Sequence, residues 1–186
     1  MRVVPPSTIP PAVALADVKL DLRIEVDTED SILTEKFTDA TARAQHLLGR
    51  ALVTQTWAIK LDQFPCSDSI RLLMPPVSAI TSIVYTDADG NEQTMPAADY
   101  ELVADILRPR VRLAYGASWP SSRGDEDSIT VTFVCGYGAA ASVPAGIRDW
   151  IRLQVGAMHE NREAVGANVQ ALPFVDGLLD PYRVWD

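Results

Sequence analysis

The spacing of apolar residues changes twice along this chain, and that change limits the possible folds more than any single motif does. From Glu25 to Arg50, Leu33, Phe37, Ala40, Ala44 and Leu47 recur at steps of three and four, one stripe on an α-helix. Acidic residues crowd the start of that stretch, Asp27 or Thr28 is placed to cap it, and Gly49 stands just past its end. From Ala51 the period drops to two. Val53, Gln55, Trp57, Ile59 and Leu61 alternate with Leu52, Thr54, Thr56, Ala58 and Lys60, the pattern of a strand with one buried side. Further short β-branched runs end at Cys135, and the helical period returns at Pro144.

These switches predict an α+β chain, with helices at both ends packed around an inserted antiparallel β-sheet of about five strands. The β-rich part spans about 51–136. Asp89-Gly90 marks a hairpin turn inside it. A shorter helix is predicted over Pro11–Ile24. In the helix over Pro144–Glu163, two adjacent stripes (Ile147, Ile151, Val155, Met158; Trp150, Leu153, Ala157) predict cover on two sides. The expected organisation is an extended Pro-rich arm over 1–11, a single α+β domain over 12–163, and a flexible linker with an apolar tail over 164–186.

With 186 residues, 47% of them hydrophobic and 22% charged, the chain is long enough to bury roughly 70% of its unfolded surface without a disulfide or metal staple. Cys66 and Cys135 are expected to be reduced, unreactive core residues, with a single disulfide left open. No run approaches a membrane span. Prolines interrupt the start "MRVVPPSTIPP", so it does not read as a signal peptide, and synthesis in the cytoplasm is expected. The net charge of −9, from 25 acids and 16 bases, argues against gripping a phosphate backbone, which takes a basic patch.

The sequence offers little reaction chemistry. His159 and Glu163 stand at i and i+4 but lack a third ligand, and His46 has no partner at ligand spacing. "TDADGNEQT" places its glycine and acids wrongly for a calcium loop, "CGYGAAAS" lacks the pattern of a phosphate loop, and no GxSxG occurs. Catalytic, cofactor-binding and metal-binding residues are therefore all read as none. Two surface features remain. Arg108, Arg110 and Arg112 share one face if they lie in a strand, either paired with cross-strand acids such as Glu101 or Asp99 or forming an inter-subunit charge ladder. The chain end carries Leu178, Leu179, Tyr182, Arg183 and Trp185 within "LPFVDGLLDPYRVWD". Such a tail docks either on its own domain or on a neighbour. The presence of Tyr, Arg and Trp, residues enriched in interface anchors, favours the neighbour, so deleting 173–186 is expected to leave a folded domain that no longer joins its partner.

Five ordered stretches carry a family resemblance: "GRALVTQTWAIKLDQFP", "LMPPVSAITSIVYTDADGNEQTMPAADYEL", "ASWP", "VTFVCGYGAAASVPAGIRDWIRLQVGAMHENRE" and "LLDPYRVW". Their order and spacing resemble the head–tail connector (adaptor) proteins of long-tailed phages, prophages and gene transfer agents, over nearly the whole chain after the Pro-rich arm. The resemblance implies a virion structural protein of the particle neck, made and assembled in the bacterial cytoplasm, with no catalytic residues and no cofactor. It implies a homo-oligomeric ring, typically of twelve copies, that sits beneath the portal protein. Such a ring extends the DNA channel without specific DNA binding and forms a platform for the next tail component, a stopper or tail terminator. A stopper or tail-completion protein, and a small enzyme, are the alternatives.

Overall fold

The computed structural model describes residues 1–160, residue 175 and residues 177–184. Its strands and helices divide into two compact units, Met1–Thr8 with Thr54–Gly136, and Ile9–Val53 with Tyr137–Asp186. The class is α+β, as the change of period predicts.

In the first unit, β1 (Arg2–Val4), β2 (Gln55–Leu61), β4 (Val77–Thr86), β5 (Glu92–Thr94) and β8 (Ile129–Cys135) form a five-stranded antiparallel sheet in the order β1-β2-β8-β4-β5. A second, three-stranded sheet has the order β3-β7-β6, from β3 (Ser69–Arg71), β6 (Tyr100–Val103) and β7 (Arg110–Leu113). The strand pairing predicted over 51–136 is thus divided between two sheets, and one strand of the larger sheet comes from the chain start. Arg2–Val4 pair with Lys60–Ala58, and the Arg2 guanidinium meets Asp127.

The centre of the larger sheet is strict alternation. Ile129, Val131, Phe133 and Cys135 are buried along β8, and Trp57 and Ile59 of β2 stand opposite Phe133 and Val131. Two register shifts bend β4 against β8. The Asp89-Gly90 signal lies between β4 and β5, with Gly90 at φ 88°. The Asp87 carboxylate accepts from the amides of Asn91 (2.9 Å) and Asp89 (3.0 Å) and from the Gln93 amide group (3.0 Å). The Asn91 amide and then Gln93 hold this carboxyl below the usual Asp range. A depressed pKa stabilises the fold above the unfolded value, about 3.9, and that contribution is lost as pH falls through the folded value. NMR titration should accordingly find Asp87 ionised below the pH at which an ordinary Asp protonates, and Asp87→Asn should remove that step from the acid-unfolding curve.

The second unit is helical: α1 (Leu15–Leu22), α2 (Asp30–Leu48) and α3 (Ala145–Glu160). Gly49, at φ 63°, closes α2 in the left-handed conformation that suits glycine. Leu33, Phe37, Ala40, Ala44 and Leu48 are buried on α2, whereas Leu47, expected in the stripe, is 38% exposed. A step of four from Ala44 keeps Leu48 on the inner face; a step of three carries Leu47 off it. Thr41 and Gln45 also point inward. Thr41 accepts from the Ala12 amide at 3.3 Å, and the Gln45 carbonyl accepts from the Leu52 amide at 2.9 Å, so two loops are tied to this helix.

On α3, Ile147, Trp150, Ile151 and Val155 are buried, while Leu153 is 44% exposed. The two-sided cover predicted for this helix is met in part: α2 and α1 both pack against it and Trp150 of the second stripe is fully buried, but Leu153 of that stripe is exposed. The α1 helix is shorter than predicted, since Pro11–Ala14 lead into it and Arg23, at φ 57°, ends it. These helices share one apolar cluster that runs from Ala12 to Leu179.

Candidate functional site

Val175 and residues 178–184 lie within the helical unit. Leu179 is fully buried and Val175 nearly so, both in the cluster formed by Phe37, Leu48, Leu52, Ile147 and Ile151. Leu178 and Tyr182 are half-buried against the same cluster. A short 3-10 turn, Asp180–Tyr182, follows, with Pro181 at its start. The Val184 amide then donates to the Leu48 carbonyl at 3.0 Å, an acceptor at the end of α2 that has no partner within the helix.

Arg50 clamps this path. It is only 5% exposed, and its Nε donates to the Tyr182 carbonyl at 2.5 Å. Its guanidinium also bonds the Tyr137 hydroxyl; burial raises the Tyr137 pKa and Arg50 opposes the rise. Gly146, in the first turn of α3, makes room for the tail. A Cβ there would stand 3.3 Å from the Tyr182 ring and 3.4 Å from the Leu178 carbonyl.

The expectation that the tail's apolar groups anchor on a neighbour is corrected for Leu179. A side chain with no exposed surface in its own unit has none to offer elsewhere. The expectation that deleting 173–186 leaves the fold intact is corrected with it, because the deletion removes Val175 and Leu179 from the core. Arg183 is half-buried beside Asp180 at 3.4 Å. Trp185 lies outside the described residues. Neither Arg50 nor Gly146 was legible as a tail contact, although a glycine early in an apolar helix, which costs about 1 kcal/mol against Ala, signals a close approach.

The arginine face belongs to the three-stranded sheet. Arg110 and Arg112 lie on β7, opposite Val103 and Glu101 of β6 and Arg71 and Ser69 of β3. Val111 between them is fully buried, so both arginines face outward. Arg112 bonds Glu101 at 2.9 and 2.5 Å, the cross-strand pair expected. Arg108 does not share this strand face: it precedes β7, in the β6–β7 hairpin. Its amide and that of Leu107 both donate to Asp105 Oδ1 at 2.8 Å, which holds the Asp105 carboxyl low. The same turn leaves Ile106 67% and Leu107 48% exposed, a feature the strand patterns did not signal.

The histidines stay apart. His46 is exposed on the last turn of α2, and His159 stands 3.9 Å from Glu29, while Glu163 lies outside the described residues. Among the described residues no group of three or more His, Cys, Asp or Glu is placed to hold a metal ion. Both cysteines are free. Cys135 is buried, its thiol pushed up to about 12 by that burial, but Cys66 is exposed in the loop after β2 and is not the core residue expected.

The described residues thus combine a tail packed into its own unit, a charged sheet face and an exposed apolar turn. The whole chain has the fold of chains found in gene transfer agent particles. It is similar to a chain in the neck of an empty gene transfer agent particle computed with C6 symmetry, at 23% identity and a TM-score of 0.84, covering 100% of this chain and 97% of that one. A chain in the virion of a native gene transfer agent particle is 25% identical, with a TM-score of 0.83 and the same coverage. A third, in the neck of a native particle computed with C12 symmetry, is 23% identical with a TM-score of 0.78. No protein-family model matches the sequence, and no curated protein matches it.

Proposed function

We propose that this chain is a structural neck component of a phage-like particle, the head–tail connector (adaptor). In this reading it forms a ring of about twelve copies beneath the portal protein, extends the DNA channel and supports the next tail component. The observation that carries the reading is the coextensive likeness, end to end, to chains from gene transfer agent necks and virions. A closed ring requires two different complementary faces on each copy. The arginines of the β6–β7 hairpin, Arg110 and Arg112 on the outer face of β7 and Arg108 in the turn before it, are proposed as part of one of them. The partly exposed end of the tail, Leu178, Tyr182 and Arg183 together with Trp185, is proposed to meet the portal or a neighbour. A net charge of −9 on every copy lets DNA pass without a counterion-releasing grip.

Native mass spectrometry of the chain mixed with the portal protein of its own particle tests the proposal. Rings of about twelve copies on the portal are expected. A two-fold dimer, or binding to a tail tube protein in place of the portal, overturns the connector reading; the second result points to a stopper. Replacing Arg108, Arg110 and Arg112 with Ala should weaken ring assembly modestly and in a salt-sensitive way while leaving the monomer folded, since exposed ion pairs are weak and screened by salt.

A further inference from the structure

We infer that the β6–β7 hairpin tip of one copy seats in a cleft beside α2 and α3 of a second copy. This rests on the ring reading and names its contact.

The tip is preorganised. Asp105 accepts from the amides of Leu107 and Arg108, and this turn holds Ile106 and Leu107 out in solvent before any partner arrives. A single exposed apolar residue is ordinary, but two adjacent ones on a fixed turn form an anchor whose ordering cost is already met. Arg108, Arg110 and Arg112 follow; against Asp105 and against Glu101, which pairs with Arg112, they leave residues 101–112 with a local net charge of +1 in a chain of −9. The fitting partner is therefore apolar at its centre and acidic at its rim.

The chain itself carries such a surface. A cleft of about 260 Å³ is lined by Glu29, Ile32, Lys36, Met158 and His159, and Ile32 is 52% exposed there. It lies in an acidic part of the sequence: residues 17–39 hold eight acids (Asp17, Asp21, Glu25, Asp27, Glu29, Asp30, Glu35, Asp39) and three bases (Lys19, Arg23, Lys36), a net charge of −5. Glu25, Glu35 and Asp39 are exposed. Tip and cleft are different surfaces, so a contact between them is heterologous and repeats from copy to copy, as a ring requires. The opposite local charges steer the two copies into that orientation.

Disulfide trapping tests this. Two full-length chains, Leu107→Cys and Ile32→Cys, each also carrying Cys66→Ser, are mixed, assembled with the portal protein and oxidised. A disulfide-linked dimer that accumulates in the mixture and in neither chain alone is the expected result. Rings of normal size without that product overturn the inference and leave the ring reading standing. A Leu107→Cys self-pair, or neither ring nor product, overturns both. An Ile32→Cys thiol closed to maleimide in the isolated chain also overturns the inference, because the cleft is then already filled. As a second readout, Ile106→Ser with Leu107→Ser should abolish ring formation at an unchanged thermal midpoint; rings in normal yield count against the contact.

Discussion

Replacing Leu179 with Ala lowers the stability of the helical unit by about 2–5 kcal/mol, the range for a large buried aliphatic side chain whose cavity closes only in part. Leu179 is fully buried among side chains from α2, α3 and the residues joining them to the rest of the unit. Deleting 173–186 has a larger effect, because Val175 leaves with it and the Leu48 carbonyl loses the Val184 amide. Thermal unfolding followed by circular dichroism measures both variants. An unchanged midpoint in Leu179→Ala would mean that the tail is not part of the core. In a portal-binding assay run below both midpoints, the point variant keeps the exposed tail residues. It therefore separates loss of fold from loss of docking, which the deletion alone does not.

Arg50→Ala releases the same tail by another route. The change leaves the Tyr182 carbonyl and the Tyr137 hydroxyl without their charged donor in a buried place, a loss of about 1.5–3 kcal/mol for hydrogen bonds to a charged group. The loss is local, so hydrogen exchange reads it best. The Val184 amide should exchange about tenfold to a hundredfold faster, at roughly 1.4 kcal/mol per factor of ten, while amides in the middle of α2 change less. Arg50→Lys keeps the charge but not the planar fork, and should fall between the two. Equal protection of Val184 in wild type and Arg50→Ala would remove Arg50 from the clamp.

If the neck reading holds, the two variants have a functional meaning. A tail whose inner half is locked into its own unit presents its outer half at a fixed place. Leu178, Tyr182 and Arg183 are then offered to a partner from a rigid base, and less entropy is lost on binding than with a free tail.

Much of the chain was legible in its sequence because local periodicity reports burial directly. The stripe of α2, the alternation of β2 and β8 and the Asp89-Gly90 turn each follow from which side of a helix or strand meets a core, and that is written at steps of two, three and four residues. The Arg112–Glu101 pair was legible for the same reason, since neighbouring strands bring alternate residues to one face. Pairings distant in sequence were not legible. No spacing announces that Arg2–Val4 joins the edge of β2, that the strands divide into two sheets, or that Asp105 turns Ile106 and Leu107 outward.

The chain end shows the boundary most clearly. Its composition determined that "FVDGLLDPYRVW" must bury apolar surface somewhere, because a turn or two of helix is too short to stand alone. Where it does so was decided by tertiary structure: the space left by Gly146, the buried guanidinium of Arg50 and the open carbonyl of Leu48 lie far apart in sequence, and only folding sets them side by side. Hydrophobic burial has no direction, so a sequence can require it without naming the partner; hydrogen bonds and close contacts have direction, and these place Leu179 in the chain's own core.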